Sequence, residues 1–427
     1  MASSSALQKE YLRLLEGRAG LPEGFRCATQ GIRFFPRQRK VSESMAMNLS
    51  LIMLEEETPS FGAVFTRNRF PGAPVTIGRE RLERPTILGV LINNKISNVC
   101  TPNGREEATH LLGTLGGLLK APSDSLFVAS TGIIGWDLPV AEMDACMPNL
   151  VKALSPGSIL PVAQGIMTTD SFPKVRRAAV GNGSLVGIAK GAGMIEPHMA
   201  TLLCFLCTDV AVERVELRES LAWCVERSLN RISIDSDQST SDMALLFSSR
   251  RKRPVEAGEF RQALYNVLSG LAQDIVRNAE GIGHVIRVRV DRGRDEAVAT
   301  GVGKAIVNSP LVKTAIFGND PNVGRIVCAI GDYLGNADQQ LDIASVVVRM
   351  GGIEIFKGGC FLLDPEKEEE LSRYLKSCAL DTTLKGYPQH GRSVEIEVTL
   401  DGSSPAVEVL GSDLSYEYVR ENADYRS

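Results

Sequence analysis

This chain of 427 residues has no excess of charge of either sign: 47 Lys and Arg face 51 Asp and Glu, a formal net charge of −4. A nucleic-acid-binding face needs clustered basic residues to displace counterions, and no such stripe is present, so a small-molecule partner is the better default. Long apolar runs are also missing. None free of charge reaches about eighteen residues, the length a membrane-spanning helix requires. The first twenty residues carry Glu10 and Glu16 and no extended apolar core, which argues against a secretory or mitochondrial leader. The expectation is a cytoplasmic protein with neither membrane nor nucleic acid as a partner.

Cysteine and histidine are too sparse and scattered to build a framework. Nine cysteines are an odd number spread through a long chain, unlike a secreted disulfide scaffold. Cys204 and Cys207 form a C-x-x-C, but no second pair or nearby His completes a zinc set, so core packing is the simpler reading. The four histidines, His110, His198, His284 and His390, have no metal-ligand spacing. The acidic segment from Asp235 to Asp242 lacks the glycine and the bidentate glutamate of a calcium loop. The G-x-G near residue 302 lacks a full dinucleotide fingerprint. No metal and no bound cofactor are therefore expected.

What is present is an alternation of apolar runs with helical periods. SLFVAST, TLLCFLCTDV, VIRVRV, ASVVVRM and VEIEVTL read as strands; ELRESLAWCVERSL and EEATHLLGTLGGLL read as helices, and residues 7–17 as a short amphipathic helix. The class is α/β. The length suggests two or three domains, with a soft division near residues 330–340, where polar turn residues interrupt the pattern.

The segment KGAGMIEPHMATLLCF, residues 190–205, carries the chemistry. It places Thr201 directly after a small residue, at the entry to an apolar strand. A threonine there reads as the nucleophile of self-cleavage: Thr201 Oγ attacks the carbonyl of Ala200, the chain passes through an ester, and water releases a new amino terminus on Thr201. The freed residue then carries nucleophile and base together, because its α-amine, with an ordinary pKa of roughly 7.7–8.0, is substantially neutral near physiological pH.

The segment resembles the self-processing site of the ornithine acetyltransferase (glutamate N-acetyltransferase) family, at Lys190, Gly191, Gly193, Met194, Ile195, Pro197, Met199, Ala200 and Thr201. Further blocks resemble the family in the same order: residues 62–75, 129–139, 167–174, 230–242, 277–281 and 309–325, and the terminal YVRENADYRS. The resemblance implies a layered sheet-and-helix sandwich of the ornithine acetyltransferase/DmpA-like type, with a smaller C-terminal α/β portion. It implies an α-chain of residues 1–200 and a β-chain of 201–427, two of each assembling together. It also implies transfer of an acetyl group from N-acetylornithine to glutamate, releasing ornithine and N-acetylglutamate, with acetyl-CoA as a co-substrate in some members.

Carried over residue by residue, the resemblance makes Thr131 and Gly132 the oxyanion hole, and Thr168, Lys190, Thr201, Glu280, Asn422 and Ser427 the substrate contacts. Lys190 and Glu280 offer the opposite charges that suit an amino-acid zwitterion. Departures fall at Asn94–Ser97, where Lys95 and Ile96 replace two small residues in a loop expected to be filled, at His198, where the family has Asn, and at Val323. They leave two alternatives open: a paralogue serving a different amine acceptor, and an N-terminal-nucleophile amidohydrolase.

Overall fold

A computed structural model describes residues 4–196, 202–337, 339–340 and 342–424. Ala200, Thr201, His198 and Ser427 lie outside the described residues. The chain forms two compact units, Met1–Asn230 with Asp237–Ile275, and Arg231–Ser236 with Val276–Ser427. The division thus falls around residues 231–236 and 275, not at 330–340. There, Val323–Asn336 is one continuous helix whose apolar face, including Ile326, Ile330 and Leu334, enters the core of the second unit. The polar residues that suggested a boundary only end that helix.

The first unit is built on two sheets. One has strand order Phe25–Phe34, Met45–Thr58, Ile87–Asn93, Leu126–Ser130; the other Phe61–Phe65, Met243–Lys252, Leu203–Val210, Gly183–Lys190, Lys174–Val180. Residues from both sheets share one core, closed by edge-on aromatic pairs, Phe25 with Phe247 at 5.2 Å and Phe61 with Phe127 at 5.9 Å between ring centroids. Side chains alternate across a strand. Val186 and Ile188 therefore join that inter-sheet core, while Gly187 faces away, against Val267 and Leu271 of the helix Ala257–Arg277. Gly187 has no side chain because the helix lies too close: an added Cβ would stand 2.7 Å from Val267. The helices Gly104–Leu119 and Val140–Lys152 accompany the other sheet. The result is a sheet-and-helix sandwich, the expected class.

The second unit carries a seven-stranded mixed sheet in which the inner strand Val285–Asp291 pairs parallel with Val394–Thr399 and antiparallel with Val407–Ser412. Helices Glu296–Asn308 and Val323–Asn336 bury Val302, Ile306 and Ile326 against it. Val323, the departure from the family pattern, is a core position at the first turn of its helix, where Asn322 caps the Arg325 N–H at 3.1 Å.

The anticipated helix at 7–17 spans Ser4–Glu16, and the apolar runs form the strands Leu126–Ser130, Leu203–Val210, Val285–Asp291, Val347–Met350 and Val394–Thr399.

Candidate active site

The strand Leu126–Ser130 delivers Thr131 and Gly132 at its C-terminal end. The Thr131 N–H is committed to the Asn93 carbonyl at 3.1 Å, continuing the ladder one residue beyond the strand, so it is the Thr131 hydroxyl that remains for chemistry. Gly132 has φ +129°, and a Cβ built on it would stand 2.1 Å from the Lys95 carbonyl carbon. No side chain fits there. The Thr-Gly turn is therefore wedged against the 94–101 loop rather than being a free strand end.

That loop is the one in which Lys95 and Ile96 depart from the family. Ile96 is fully buried and bridges to Thr131 and Ile133. Lys95 sits at φ +74°, unusual for a side-chain-bearing residue, and its carbonyl accepts the Ile133 N–H at 2.8 Å. Ser97 binds Ile133 through both its N–H and its hydroxyl, at 3.0 and 2.8 Å. The backbone of Lys95 and Ile96, with Ser97, braces the Thr131–Gly132 turn.

Lys190 ends the strand Gly183–Lys190, in register with Leu203 on the neighbouring strand. Its Nζ donates to Thr131 Oγ1 at 3.3 Å, and both residues are only 4% exposed. A hydroxyl has one hydrogen and two lone pairs. Having accepted from an ammonium, Thr131 is left with a polarised O–H to donate elsewhere, the property an oxyanion site requires.

Asp170, inside the block at 167–174 but not singled out from sequence, organises this end of the sheet. Its Oδ1 accepts Lys174 Nζ at 2.6 Å and the Gly191 N–H at 2.8 Å, and its Oδ2 accepts the Thr168 N–H at 3.0 Å. One buried carboxyl thus ties half-buried Thr168 to the segment that follows Lys190. Burial raises its pKa, but Lys174, then Lys190, and the bonds from Lys174 and Gly191 outweigh it and hold the group well below the usual aspartate range. Asp242 is the other acid that sequence reading passed over: its Oδ1 accepts the N–H of Leu202, the residue joined to Thr201. The only sequence signal for either was an acid inside an otherwise well-matched block.

Beside this segment, Arg67, Asn68, Arg69, Pro71 and Arg79 line a cleft of about 430 Å³. Asn68 Nδ2 donates to the Gln238 carbonyl at 2.8 Å and Thr66 Oγ1 to the Ser239 carbonyl at 2.7 Å, which moors the arginine loop to the loop leading into Asp242. Guanidinium groups in such a cleft suit carboxylates or phosphates.

In the second unit, Asn422 Nδ2 donates to Glu280 Oε2 at 2.9 Å. The helix Tyr416–Ala423 is held rather than frayed: Ser415 caps the Tyr418 N–H at 3.0 Å and donates to the Gly281 carbonyl at 2.5 Å. Gly281, at φ +60°, lets the helix approach, since a Cβ there would lie 2.2 Å from the Tyr418 nitrogen.

Cys204 and Cys207 are fully buried in the strand Leu203–Val210, three residues apart and so on opposite faces; Cys207 joins the inter-sheet core and Cys204 does not. Burial pushes both thiols up, away from the reactive thiolate. They pack as core side chains. His284 is buried with Nδ1 2.8 Å from Asp413 and Nε2 3.2 Å from the Leu375 carbonyl, a structural pairing; His110 meets Asp144 at the surface, and His390 Nε2 lies 3.0 Å from the Ala379 carbonyl. No described helix is long and apolar enough to cross a membrane.

The chain is 38% identical to a glutamate N-acetyltransferase of Streptomyces clavuligerus over 85% of this chain and 89% of that protein. It is 36% identical to an arginine biosynthesis bifunctional protein of Nitratidesulfovibrio vulgaris over 95% and 99% of the two chains. Among solved structures, the arginine biosynthesis bifunctional protein of Bacillus halodurans is 32% identical with a TM-score of 0.45, covering 52% of this chain and 98% of that one. A family model described as the ArgJ family matches residues 36–427, and the chain with its Thr131–Lys190 pair belongs to that family.

Proposed function

We propose that this protein is a glutamate N-acetyltransferase that cleaves itself between Ala200 and Thr201 and then shuttles an acetyl group on Thr201. The observation that carries the reading is the buried Lys190 ammonium on the Thr131 hydroxyl, on the strand that pairs with the one entered through residue 201. Relatives named as glutamate N-acetyltransferase and as arginine biosynthesis enzymes support it.

In this mechanism the Thr201 α-amine takes the hydroxyl proton as Oγ attacks the acetyl carbonyl of N-acetylornithine. Negative charge develops on the carbonyl oxygen, where the Thr131 hydroxyl and the Gly132 N–H stabilise it; one such donor typically contributes about 2.7–4 kcal/mol. The C–N bond then breaks, the proton passes to the departing amine, and ornithine leaves. The glutamate amine attacks the resulting ester, the C–Oγ bond breaks, and Thr201 recovers its proton as N-acetylglutamate departs. Thr168 and Lys190 hold substrate polar groups, and Glu280, Asn422 and Ser427 complete the contacts, Glu280 answering a substrate ammonium. Acetyl-CoA is proposed as a second donor, and the two α- and two β-chains as the working assembly, in the cytoplasm.

The test is intact mass spectrometry after brief exposure to N-acetylornithine. The fragment beginning at Thr201 is expected to gain one acetyl group, and Thr201→Ala neither to split nor to gain mass. Active protein with no chain starting at Thr201 overturns the reading, and release of free acetate in preference to N-acetylglutamate replaces the transferase with a hydrolase.

A further inference from the structure

We propose that Asp242 is a positioning residue for the nucleophile, a side-chain clamp on Leu202, the residue bonded to Thr201, on which self-cleavage and turnover depend. This rests on the reading of Thr201 as the nucleophile.

Residues 242 and 243 grip both ends of Leu202. The Leu202 N–H donates to Asp242 Oδ1, and the Leu202 carbonyl accepts the Met243 N–H at 3.0 Å. Asp242 is itself fixed, because the Thr66 N–H donates to its carbonyl at 3.2 Å. A residue held at both its N–H and its C=O loses the two soft rotations of its backbone. Leu202, the residue bonded to Thr201 in the chain, is thus fixed at both ends.

A ladder bond from another main-chain carbonyl would suffice to hold Leu202, yet the position carries an acid. Asp242 is 1% exposed, and its Oδ2 has no hydrogen-bond partner among the described residues. Burying an ionised carboxylate with one oxygen unanswered is costly, and a buried group avoids the cost by staying protonated. Burial does push this carboxyl well above the ordinary aspartate range, against the Leu202 N–H, the Lys190 ammonium and the Thr66 hydroxyl. What the geometry asks of this side chain is an acceptor for the Leu202 N–H, a role that needs no charge.

A charge here would matter for a base one residue along the chain. A carboxylate near the Thr201 amine would stabilise its ammonium form, which cannot accept the hydroxyl proton. An uncharged acceptor would hold Leu202 as well and leave that amine its basicity, which makes Asp242→Asn the deciding variant.

The experiment uses full-length wild type, Asp242→Asn and Asp242→Ala. Asn is uncharged and keeps the Oδ1 acceptor; Ala keeps neither oxygen. Freshly made chains are followed by intact mass for the appearance of the Thr201 terminus, then by steady-state kinetics from neutral to alkaline pH and by thermal melting. Asp242→Asn is expected to cleave and turn over close to wild type with an unchanged pH midpoint. Asp242→Ala is expected to slow cleavage by about 10- to 100-fold and to lower kcat rather than raise KM, the signature of a misplaced reacting group.

Wild-type rates in a folded Asp242→Ala overturn the proposal. So does Asp242→Asn falling as far as Asp242→Ala while melting like wild type, because a charge or an acidic proton would then be required. If Asp242→Ala does not fold, the pH profile of Asp242→Asn decides, and a midpoint displaced by about one pH unit or more overturns the proposal. A wild-type chain that never begins at Thr201 instead defeats the nucleophile reading itself.

Discussion

Lys190 Nζ donates to Thr131 Oγ1 at 3.3 Å, between two residues 59 positions apart in the chain and almost wholly withdrawn from water. The ammonium there orients the hydroxyl and adds positive charge behind it. Thr131→Val keeps the shape and removes the O–H, and it should lower kcat by about 10²–10³-fold with little change in KM. Lys190→Met should lose at least as much turnover and also melt lower than wild type, because the buried Asp170 carboxylate loses one of the two ammonium groups that hold it charged. Steady-state kinetics paired with thermal melts check both.

Gly132→Ala should fail for a different reason. The residue lies at φ +129°, and the new methyl would meet the Lys95 backbone. Gly135 provides the control: it too has a positive φ, +82°, but open space around it. Gly135→Ala should cost only backbone strain, about 1–3 kcal/mol, and retain activity. Gly132→Ala should melt lower still and lose turnover, and equal melting temperatures for the two would count against the wedge between Gly132 and Lys95.

Acid should weaken the first unit through Asp170. Its carboxyl titrates below the usual range in the folded chain, so the stability it contributes is present above the unfolded value of roughly 3.9 and is lost as pH falls through the lower folded value. Asp170→Asn removes that slope but strands the fully buried Lys174, at a cost of about 3–5 kcal/mol. The double variant Asp170→Asn/Lys174→Met should recover much of the loss. Denaturant titrations at several pH values between acid and neutral measure both the slope and the rescue.

Glu280 and Asn422, 2.9 Å apart, should behave as one substrate-binding element. Glu280→Gln and Asn422→Ala should each raise KM for the amino-acid substrates by about tenfold with smaller changes in kcat, and melting should hardly move, since both side chains are partly exposed. The double variant should be non-additive by about 0.5–3 kcal/mol, as expected for residues in direct contact. Strict additivity in kcat/KM would separate their roles.

The proposed nucleophile was legible in the sequence because its signal is local: a threonine after a small residue, leading into an apolar strand, needs no partner to be noticed. Thr131, Gly132, Lys190 and Glu280 were singled out through the family blocks that contain them, since alone a Thr-Gly pair reads as a strand-ending turn and an acid before a glycine as a solvated helix end. The boundary near residues 330–340 was misread for the same reason, since YLGNADQQLD looks like a break when read locally and is in fact a helix end whose apolar face is already committed to a core. The expectation of a filled loop at Lys95 and Ile96 took residue size as the deciding quantity, whereas direction decided it: Ile96 turns into the core.

The sequence by itself determined the α/β class, the strand and helix periods, the candidate nucleophile and the family, because hydrophobic period and contiguous motifs are properties of neighbours along the chain. Only the tertiary structure decided which groups meet. Asp242 reaches Leu202 across 40 residues, Asp170 joins Gly191 across 21, and Gly132 is small because the Lys95 backbone arrives beside it from a separate loop. Burial, charge state and close approach depend on all the chain that folds around a residue, and no window of sequence contains them.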